Sequence, residues 1–144
     1  MRNNFKYFDT TADIGVEVEA DSLEDAFIKS AQATLNLISD YDKIQPKIEK
    51  SLTINAEDEY GLLYDWVTEL LINLSCDNYM PADYDVKITQ DPETSQYTLK
   101  ADMLGDIYDT TIYNYKTEVK AITYHLMKVN MDDNNVHIKF ILDL

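Results

Sequence analysis

The stretch IGVEVEADSLEDAFIKSAQATLNLISD, residues 14–40, contains the change of period that decides the fold of this chain. In its first part, Ile14, Val16 and Val18 alternate with glycine or glutamate, which is typical of a strand with one buried face. Further on, apolar residues recur every three or four positions, as in an amphipathic helix: Leu23, Phe27, Ala31, Leu35 and Ile38. The stretch therefore predicts a strand that leads directly into a helix.

A second helix is predicted in DEYGLLYDWVTELLINLS, residues 58–75. Its apolar stripe is broad and consists of Leu62, Leu63, Trp66, Val67, Leu70, Leu71 and Leu74. Asp65 lies nearly opposite this stripe, whereas Glu69 lies on its flank, where it can touch the edge of a sheet. The first helix has its own start signal, because Asp21 or Ser22 can act as the N-cap with an acidic residue three positions further on.

The remaining segments return to a period of two and are separated by turn sequences such as QDPETS and MDDNNV, which predict hairpins. They are KSLTINA (50–56), YDVKITQ (84–90), QYTLKADM (96–103), AITYHLMKV (121–129) and VHIKFILDL (136–144). The segment AITYHLMKV is apolar on both faces, which predicts an inner strand covered on each side. The order of elements predicts a two-layer α+β fold, with two helices packed on a mainly antiparallel or mixed sheet of about six or more strands.

Length and charge limit the class of protein. The 144 residues contain no repeat or linker, so a single domain spanning residues 1–144 is expected. A net charge of −15 with one arginine, Arg2, opposes direct binding to phosphate backbones. A basic protein partner or a cation complements this charge, although acidity kept for solubility explains it equally well. No apolar run suits a signal or a membrane span, so we expect a soluble, cytoplasmic protein.

The residues that commonly carry catalysis are few. The single cysteine, Cys76, follows an apolar helical run and is interpreted as a buried structural thiol rather than a nucleophile. His125 alternates with apolar neighbours and is interpreted as a packed strand residue, and His137 as a surface residue. The chain has no Ser-His-Asp order, P-loop, GxGxxG or HExxH motif. An enzyme with this composition would depend on carboxylates and a metal, or on Lys120.

Two carboxylates lie at strand ends. Asp13 precedes the alternation of the first predicted strand and points away from its apolar face, and Asp143 lies opposite the apolar face of the last strand. The α-carboxylate of Leu144 is next to Asp143, so two anionic oxygen donors are adjacent there. Such donors suit hard cations such as calcium or magnesium. Solvated strand ends explain the same pattern, and nothing local brings Asp13 to Asp143.

Four segments, in this order and at this spacing, resemble the archease family, whose members activate RtcB-type RNA ligases. They are TADIGVEVEADSLEDAFIKSA, EYGLLYDWVTELL, TEVKAITYH and the terminal ILDL, and together they extend over nearly the whole chain. The resemblance implies a two-layer α+β fold and no independent catalytic turnover. It also implies a chaperone-like role in tRNA splicing, in which the protein promotes guanylylation of the ligase by GTP and multiple turnover.

The resemblance further implies a metal site that joins the two ends of the chain. The matching positions are Asp13, Asp143 and Leu144, with Ca²⁺ as the first candidate and Mg²⁺ or Mn²⁺ as alternatives. Glu69 and Lys120 lie in matched segments and are secondary candidates for contact with the ligase or support of the site. For each of them a purely structural role, such as a salt bridge made by Glu69, is an equal alternative.

Two positions depart from the family pattern. Archeases usually contain DHTAD, whereas this chain contains DTTAD, with Thr10 in place of the histidine. Tyr113 stands where members often have a histidine before EVKA. These changes suggest a divergent member with an altered partner preference. Two other classes of function stay open: a metal-dependent hydrolase that uses the same carboxylates with Lys120, and an interaction module without a metal.

Overall fold

The computed structural model describes residues 5–10 and 13–144. Arg2, together with Thr11 and Ala12 of the DTTAD motif, lies outside the described residues. The elements, in chain order, are β1 (Phe5–Asp9), β2 (Asp13–Ala20), α1 (Leu23–Ile38), a short 3-10 helix (Tyr41–Lys43), β3 (Ile48–Ala56), α2 (Glu59–Asp77), β4 (Tyr79–Gln90), β5 (Tyr97–Ile107), β6 (Ala121–Asp132) and β7 (Asn135–Asp143). Both predicted helices and all the predicted strands are therefore present.

The strands form two antiparallel sheets. One has the order β1-β2-β7-β6 and the other the order β3-β5-β4. The predicted α+β class is confirmed, with seven strands divided between two sheets rather than joined in one. The QDPETS and MDDNNV turns connect antiparallel neighbours, β4 with β5 and β6 with β7, so both predicted hairpins are confirmed.

The two helices pack on the inner faces of these sheets and contact each other. Ser22 caps α1 by accepting a hydrogen bond from the backbone N–H of Asp25, and Asp58 caps α2 by accepting one from that of Gly61. Between the helices, the indole N–H of the fully buried Trp66 donates to the backbone carbonyl of Phe27 at 2.9 Å. The predicted apolar stripes thus face the core, although Leu23, Leu71 and Leu74 are only partly buried.

Three predictions from the sequence are wrong. The segment AITYHLMKV is in β6, which is the edge strand of its sheet, and His125 is exposed there rather than packed. The strand lacks the second covering layer that apolar residues on both faces had predicted. Cys76 is also exposed rather than buried, because it lies in the last turn of α2, on the side that turns away from the core.

Within the described residues, no helix combines the length and apolar content needed to cross a membrane. The features that matter most for function are the two central strands of the four-stranded sheet, β2 and β7. They pair antiparallel along the whole length of β2, from Asp13 opposite Asp143 to Ala20 opposite Val136. Strand pairing therefore joins the beginning of the chain to its end.

Candidate metal centre

The central pair of strands brings two of the predicted site residues together. Asp13, the first residue of β2, lies directly opposite Asp143, the last residue of β7. Residues directly opposite each other on antiparallel strands point to the same face of the sheet, with Cβ atoms about 5 Å apart. Here that face is the outer one, because Ile14 and Leu142, the next pair along, pack against the core.

The charges of Asp13 and Asp143 are not balanced by side chains of the residues that the structure describes. Among the described residues, no salt bridge or side-chain hydrogen bond is made by Asp13 or Asp143. Like charges directly opposite each other on a sheet repel, so the arrangement favours a bound cation. Asp13 is half-buried and Asp143 is exposed, which leaves the pair open to solvent. Two carboxylates at this spacing suit a hard divalent ion that takes oxygen ligands.

Thr10 lies close to this pair in the chain. It follows β1, whose last residue, Asp9, pairs with Ile14, so Thr10 begins the short connection that ends at Asp13. Its hydroxyl Oγ1 is buried and has no hydrogen-bond partner within the described part of the chain. A buried polar atom without a partner is costly unless a further group satisfies it. The residue that departs from the family pattern thus lies three positions before Asp13 and has a hydroxyl that no other described residue binds.

Side chains alone do not complete a metal site here. The described residues contain no cluster of three or more His, Cys, Asp or Glu side chains placed to hold a metal ion. An ion at the pair formed by Asp13 and Asp143 would therefore need oxygens of another kind. The chain offers three sources: backbone carbonyls, the Thr10 hydroxyl and the carboxylate of Leu144, a half-buried residue next to Asp143. The donor set would then be all oxygen, as the sequence predicted.

Lys120 reaches the centre through its backbone. Its N–H donates to the carbonyl oxygen of Asp143 at 2.8 Å, and the next residue, Ala121, pairs directly with Asp143. The Lys120 side chain itself is exposed. Lys120 therefore anchors the end of β7 to the start of β6, so the segment TEVKA contributes to the shape of the site.

Glu69 lies on α2 between two contacts with the neighbourhood of β6. Tyr64 stacks on Tyr124, and Leu71 lines a pocket together with Val119. Glu69 is a half-buried residue, and its carboxylate makes no hydrogen bond or ion pair with the described residues. Within that part of the chain, the salt bridge that would explain Glu69 as a structural residue is not formed, and no contact joins Glu69 to Asp13 or Asp143.

Tyr113 has a structural environment that the sequence did not predict. Its hydroxyl donates to Asp106 Oδ2 at 2.6 Å and accepts from the backbone N–H of Gln45 at 3.2 Å. Burial raises the pKa of the Tyr113 phenol, and its hydrogen bond lowers the pKa of the Asp106 carboxyl. Tyr113 thus fixes the loop between β5 and β6 to the segment before β3.

The outer face beside Asp13 and Asp143 is covered by an aromatic ring. Phe8 of β1 lies directly over Gly15 of β2, and the Lys139 ammonium lies 4.9 Å from the centre of the Phe8 ring. Gly15, a glycine within a strand pattern, is the sequence signal that could have indicated the Phe8 ring.

His137, predicted as a surface residue, is half-buried, and its Nε2 lies 2.6 Å from Glu17 Oε2. This hydrogen bond lowers the pKa of the Glu17 carboxyl.

These features define a class of protein: a small α+β protein in which the second strand, near the start of the chain, pairs with the last strand and brings two carboxylates together. The solution structure of protein 1598 of Methanobacterium thermoautotrophicum has the same fold, with a TM-score of 0.80 and 29% sequence identity over 99% of this chain and 100% of that one. The profile of the archease protein family (MTH1598/TM1083) matches residues 5–144.

Two relatives named protein archease agree with this assignment. The protein of Sulfolobus acidocaldarius is 32% identical over 140 residues, which is 97% of this chain and 98% of the relative. That of Methanopyrus kandleri is 33% identical over 134 residues, covering 93% and 94% of the two chains. The chain belongs to the archease family.

Proposed function

We propose that this protein is an accessory protein of an RtcB-type RNA ligase, and that it promotes guanylylation of the ligase by GTP and repeated turnover during tRNA splicing. The proposal rests on membership of the archease family. The observation that carries it is the direct pairing of Asp13 with Asp143. The protein performs no turnover of its own and binds a divalent cation, with Ca²⁺ as the first candidate, between the beginning of β2 and the end of the chain.

In this proposal Asp13, Asp143 and the carboxylate of Leu144 hold the ion. A bound divalent cation supplies positive charge that offsets the repulsion between the two aspartates. The chain's own groups do the positioning: the ladder between β2 and β7 sets the spacing of the carboxylates, and the Lys120 N–H holds the Asp143 backbone. The result is a rigid, anionic tip on the outer face of the four-stranded sheet.

The charge of the protein suits a ligase partner. A ligase that binds RNA and GTP phosphates presents a basic surface around its active site. A domain with a net charge of −15 is attracted to such a surface and repelled by the RNA itself. Binding would therefore be fast at low salt and slower as ionic strength rises. Glu69 and Lys120 are secondary candidates for this contact.

The direct test is an RNA ligation assay with the RtcB-type ligase of the same organism, with and without this protein. RNA in excess over ligase measures repeated turnover, and labelled GTP measures guanylylation. We expect both to increase when the protein is added. An unchanged rate and an unchanged guanylylated fraction would reject the proposal. Turnover of a phosphoester by the protein alone would favour the metal-dependent hydrolase instead.

Replacing one of the two aspartates should weaken metal binding without destabilising the fold. Loss of groups that merely support a metal ligand costs about 10–100-fold in affinity, so we expect Asp13→Asn and Asp143→Asn to weaken calcium binding by about 100-fold or more. Isothermal titration calorimetry measures this change. Without metal, both variants should be at least as stable as the original protein, because one charge of a repelling pair is gone.

The matched control for these variants is Glu19→Gln. Glu19 is an exposed carboxylate on the same outer face of β2, several residues from Asp13. The Glu19→Gln protein should bind calcium and activate the ligase like the original protein. If Asp143→Asn also keeps its calcium affinity, the metal centre is wrong; if that variant loses calcium but still activates the ligase, the interaction module without a metal is favoured.

The role of Leu144 leads to a separate prediction. If its α-carboxylate is a ligand, then a short C-terminal extension should weaken calcium binding about tenfold or more, because it replaces this anionic oxygen by a neutral amide. The same extension at the N-terminus should leave the affinity unchanged. Calorimetry on the two tagged proteins makes the comparison. Equal affinities would remove Leu144 from the site and leave Asp13 and Asp143 in it.

A further inference from the structure

The edge strand β6 contains a bulge. Thr123 pairs with Ile141 and Lys128 pairs with Lys139, so four residues of β6, 124–127, stand opposite the single residue Phe140. Met127 is buried, which anchors the bulge to the core, while the preceding residues point outward. Bulges of this kind aim side chains away from the sheet and are frequent beside functional sites.

The backbone of the bulge is strained. Leu126 has a φ of +58°, in the left-handed region that branched apolar residues seldom adopt. Its side chain gains little burial in return, because Leu126 is 54% exposed and Tyr124 is 55% exposed. A strained backbone and exposed apolar side chains both cost free energy in an isolated domain. Both are common features of recognition sites.

One face of the Tyr124 ring is exposed, and contacts on its other face hold the ring in place. Its ring stacks on Tyr64 of α2, with ring centres 4.4 Å apart and an angle of 3° between the planes. The Tyr124 hydroxyl lies over the first turn of α2, 4.0 Å from the point where a Cβ on Gly61 would be. A large aromatic side chain that is already ordered loses little entropy on binding, so it makes an effective anchor.

The surroundings of this ring are acidic. Partial burial and the nearby carboxylates of Asp65 and Asp58 raise the pKa of the Tyr124 phenol. Lys128, at the end of the bulge, is the one lysine or arginine of the strand from Ala121 to Asp132, and His125 lies within the bulge. An apolar centre beside acidic groups, on a protein with a net charge of −15, fits a protein surface with an apolar hollow and a basic rim. Nucleic acids and anionic membranes would be repelled.

The bulge is continuous with the candidate metal centre. Strand β6 begins at Ala121, which pairs with Asp143, and Lys120 binds the Asp143 carbonyl. The bulge stands opposite Phe140, three residues before Asp143 on β7, which is about 10 Å along that strand. A single partner of ordinary interface size can cover both features.

We propose that the bulge formed by Tyr124, His125 and Leu126 is a docking surface for the RNA ligase, in which Tyr124 and Leu126 enter an apolar hollow with a basic rim. This inference rests on the function proposed above, since the occupant is the same partner. The metal centre and the bulge then have different tasks: the centre acts on the ligase site, and the bulge provides affinity.

Leu126→Asn is the variant that tests this surface. Asparagine tolerates the left-handed conformation, so the variant should keep its thermal unfolding midpoint while losing the apolar contact. We expect its affinity for the ligase, measured by biolayer interferometry at fixed salt, to fall about tenfold or more. Its calcium affinity should not change. The matched control is Ile112→Asn, because Ile112 is 70% exposed and lies in the loop between β5 and β6, outside the bulge.

The outcomes are distinct. If the original protein neither binds nor activates the ligase, the proposed function fails and this surface fails with it. If the original protein binds the ligase and Leu126→Asn binds equally well, the docking surface is wrong and the proposed function stands. Analytical ultracentrifugation and an RNA-binding measurement complete the test. A dimer that Leu126→Asn dissociates, or RNA binding that the variant loses, would overturn the proposal in favour of that other occupant.

Discussion

Gly105→Ala should destabilise the protein by about 3 kcal/mol or more, a large part of the stability of a domain of this size. Gly105 lies in the central strand β5 of the three-stranded sheet, opposite Ile48 on one side and Pro81 on the other. A Cβ at this position would be 2.2 Å from the carbonyl oxygen of Met80 and 2.7 Å from the Cα of Pro81. Both atoms belong to the backbone, so no side-chain rotation relieves the clash.

The measurement is urea unfolding followed by far-UV circular dichroism, and Gly61→Ala is the matched control. Gly61 is in the first turn of α2, where the nearest atom to an added Cβ is Asp58 Oδ1 at 3.4 Å. The control should be more stable than the original protein by up to about 1 kcal/mol, since alanine favours a helix over glycine. A Gly105→Ala protein as stable as the original would show that the backbones of β4 and β5 do not approach this closely at Gly105.

Trp66→Ala should cost about 3–5 kcal/mol. Trp66 is fully buried between the helices, packs edge-on against Tyr84 of β4 and donates its indole N–H to Phe27 of α1. Its removal leaves a cavity at the point where both helices meet the three-stranded sheet. Chemical denaturation monitored by circular dichroism gives the change in free energy of unfolding.

Two further variants separate the causes of this loss. Trp66→Phe keeps much of the apolar volume and removes the hydrogen bond, so it should cost about 1–3 kcal/mol. Ile72→Ala, on the same helix at a residue that is 46% exposed, should change stability by less than about 0.5 kcal/mol. Alanine is also the better helix former, so an Ile72→Ala loss as large as that of Trp66→Ala would mean that contacts of the exposed face, and not only the buried indole, determine the stability of α2.

Phe8 explains why β1 was not predicted. The strand Phe5–Asp9 lacks clean alternation, because Phe8 is an aromatic residue on the outer face. It lies there to cover Gly15, the neighbouring residue on β2. Periodicity predicts strands whose outer face is polar, so an aromatic ring paired with a glycine on another strand hides the pattern.

The β6 error has a related cause. Apolar residues on both faces of AITYHLMKV were interpreted as the mark of an inner strand, whereas β6 is an edge strand with a bulge. Tyr124 and Leu126 are apolar and exposed, and Tyr124 finds part of its contact area on Tyr64 of α2. Composition cannot distinguish a strand covered on both faces from one that displays an apolar surface.

By itself, the sequence determined the two helices, the N-terminal start of the first one, the hairpins and the α+β class, because each depends on residues close together in the chain. It also placed Asp13 and Asp143 at strand ends, away from the apolar faces. Only the tertiary structure decided that these carboxylates face each other, that seven strands form two sheets and that β6 is at an edge. The physical reason is that strand order and register are set by contacts between residues far apart in the chain, which local periodicity does not encode.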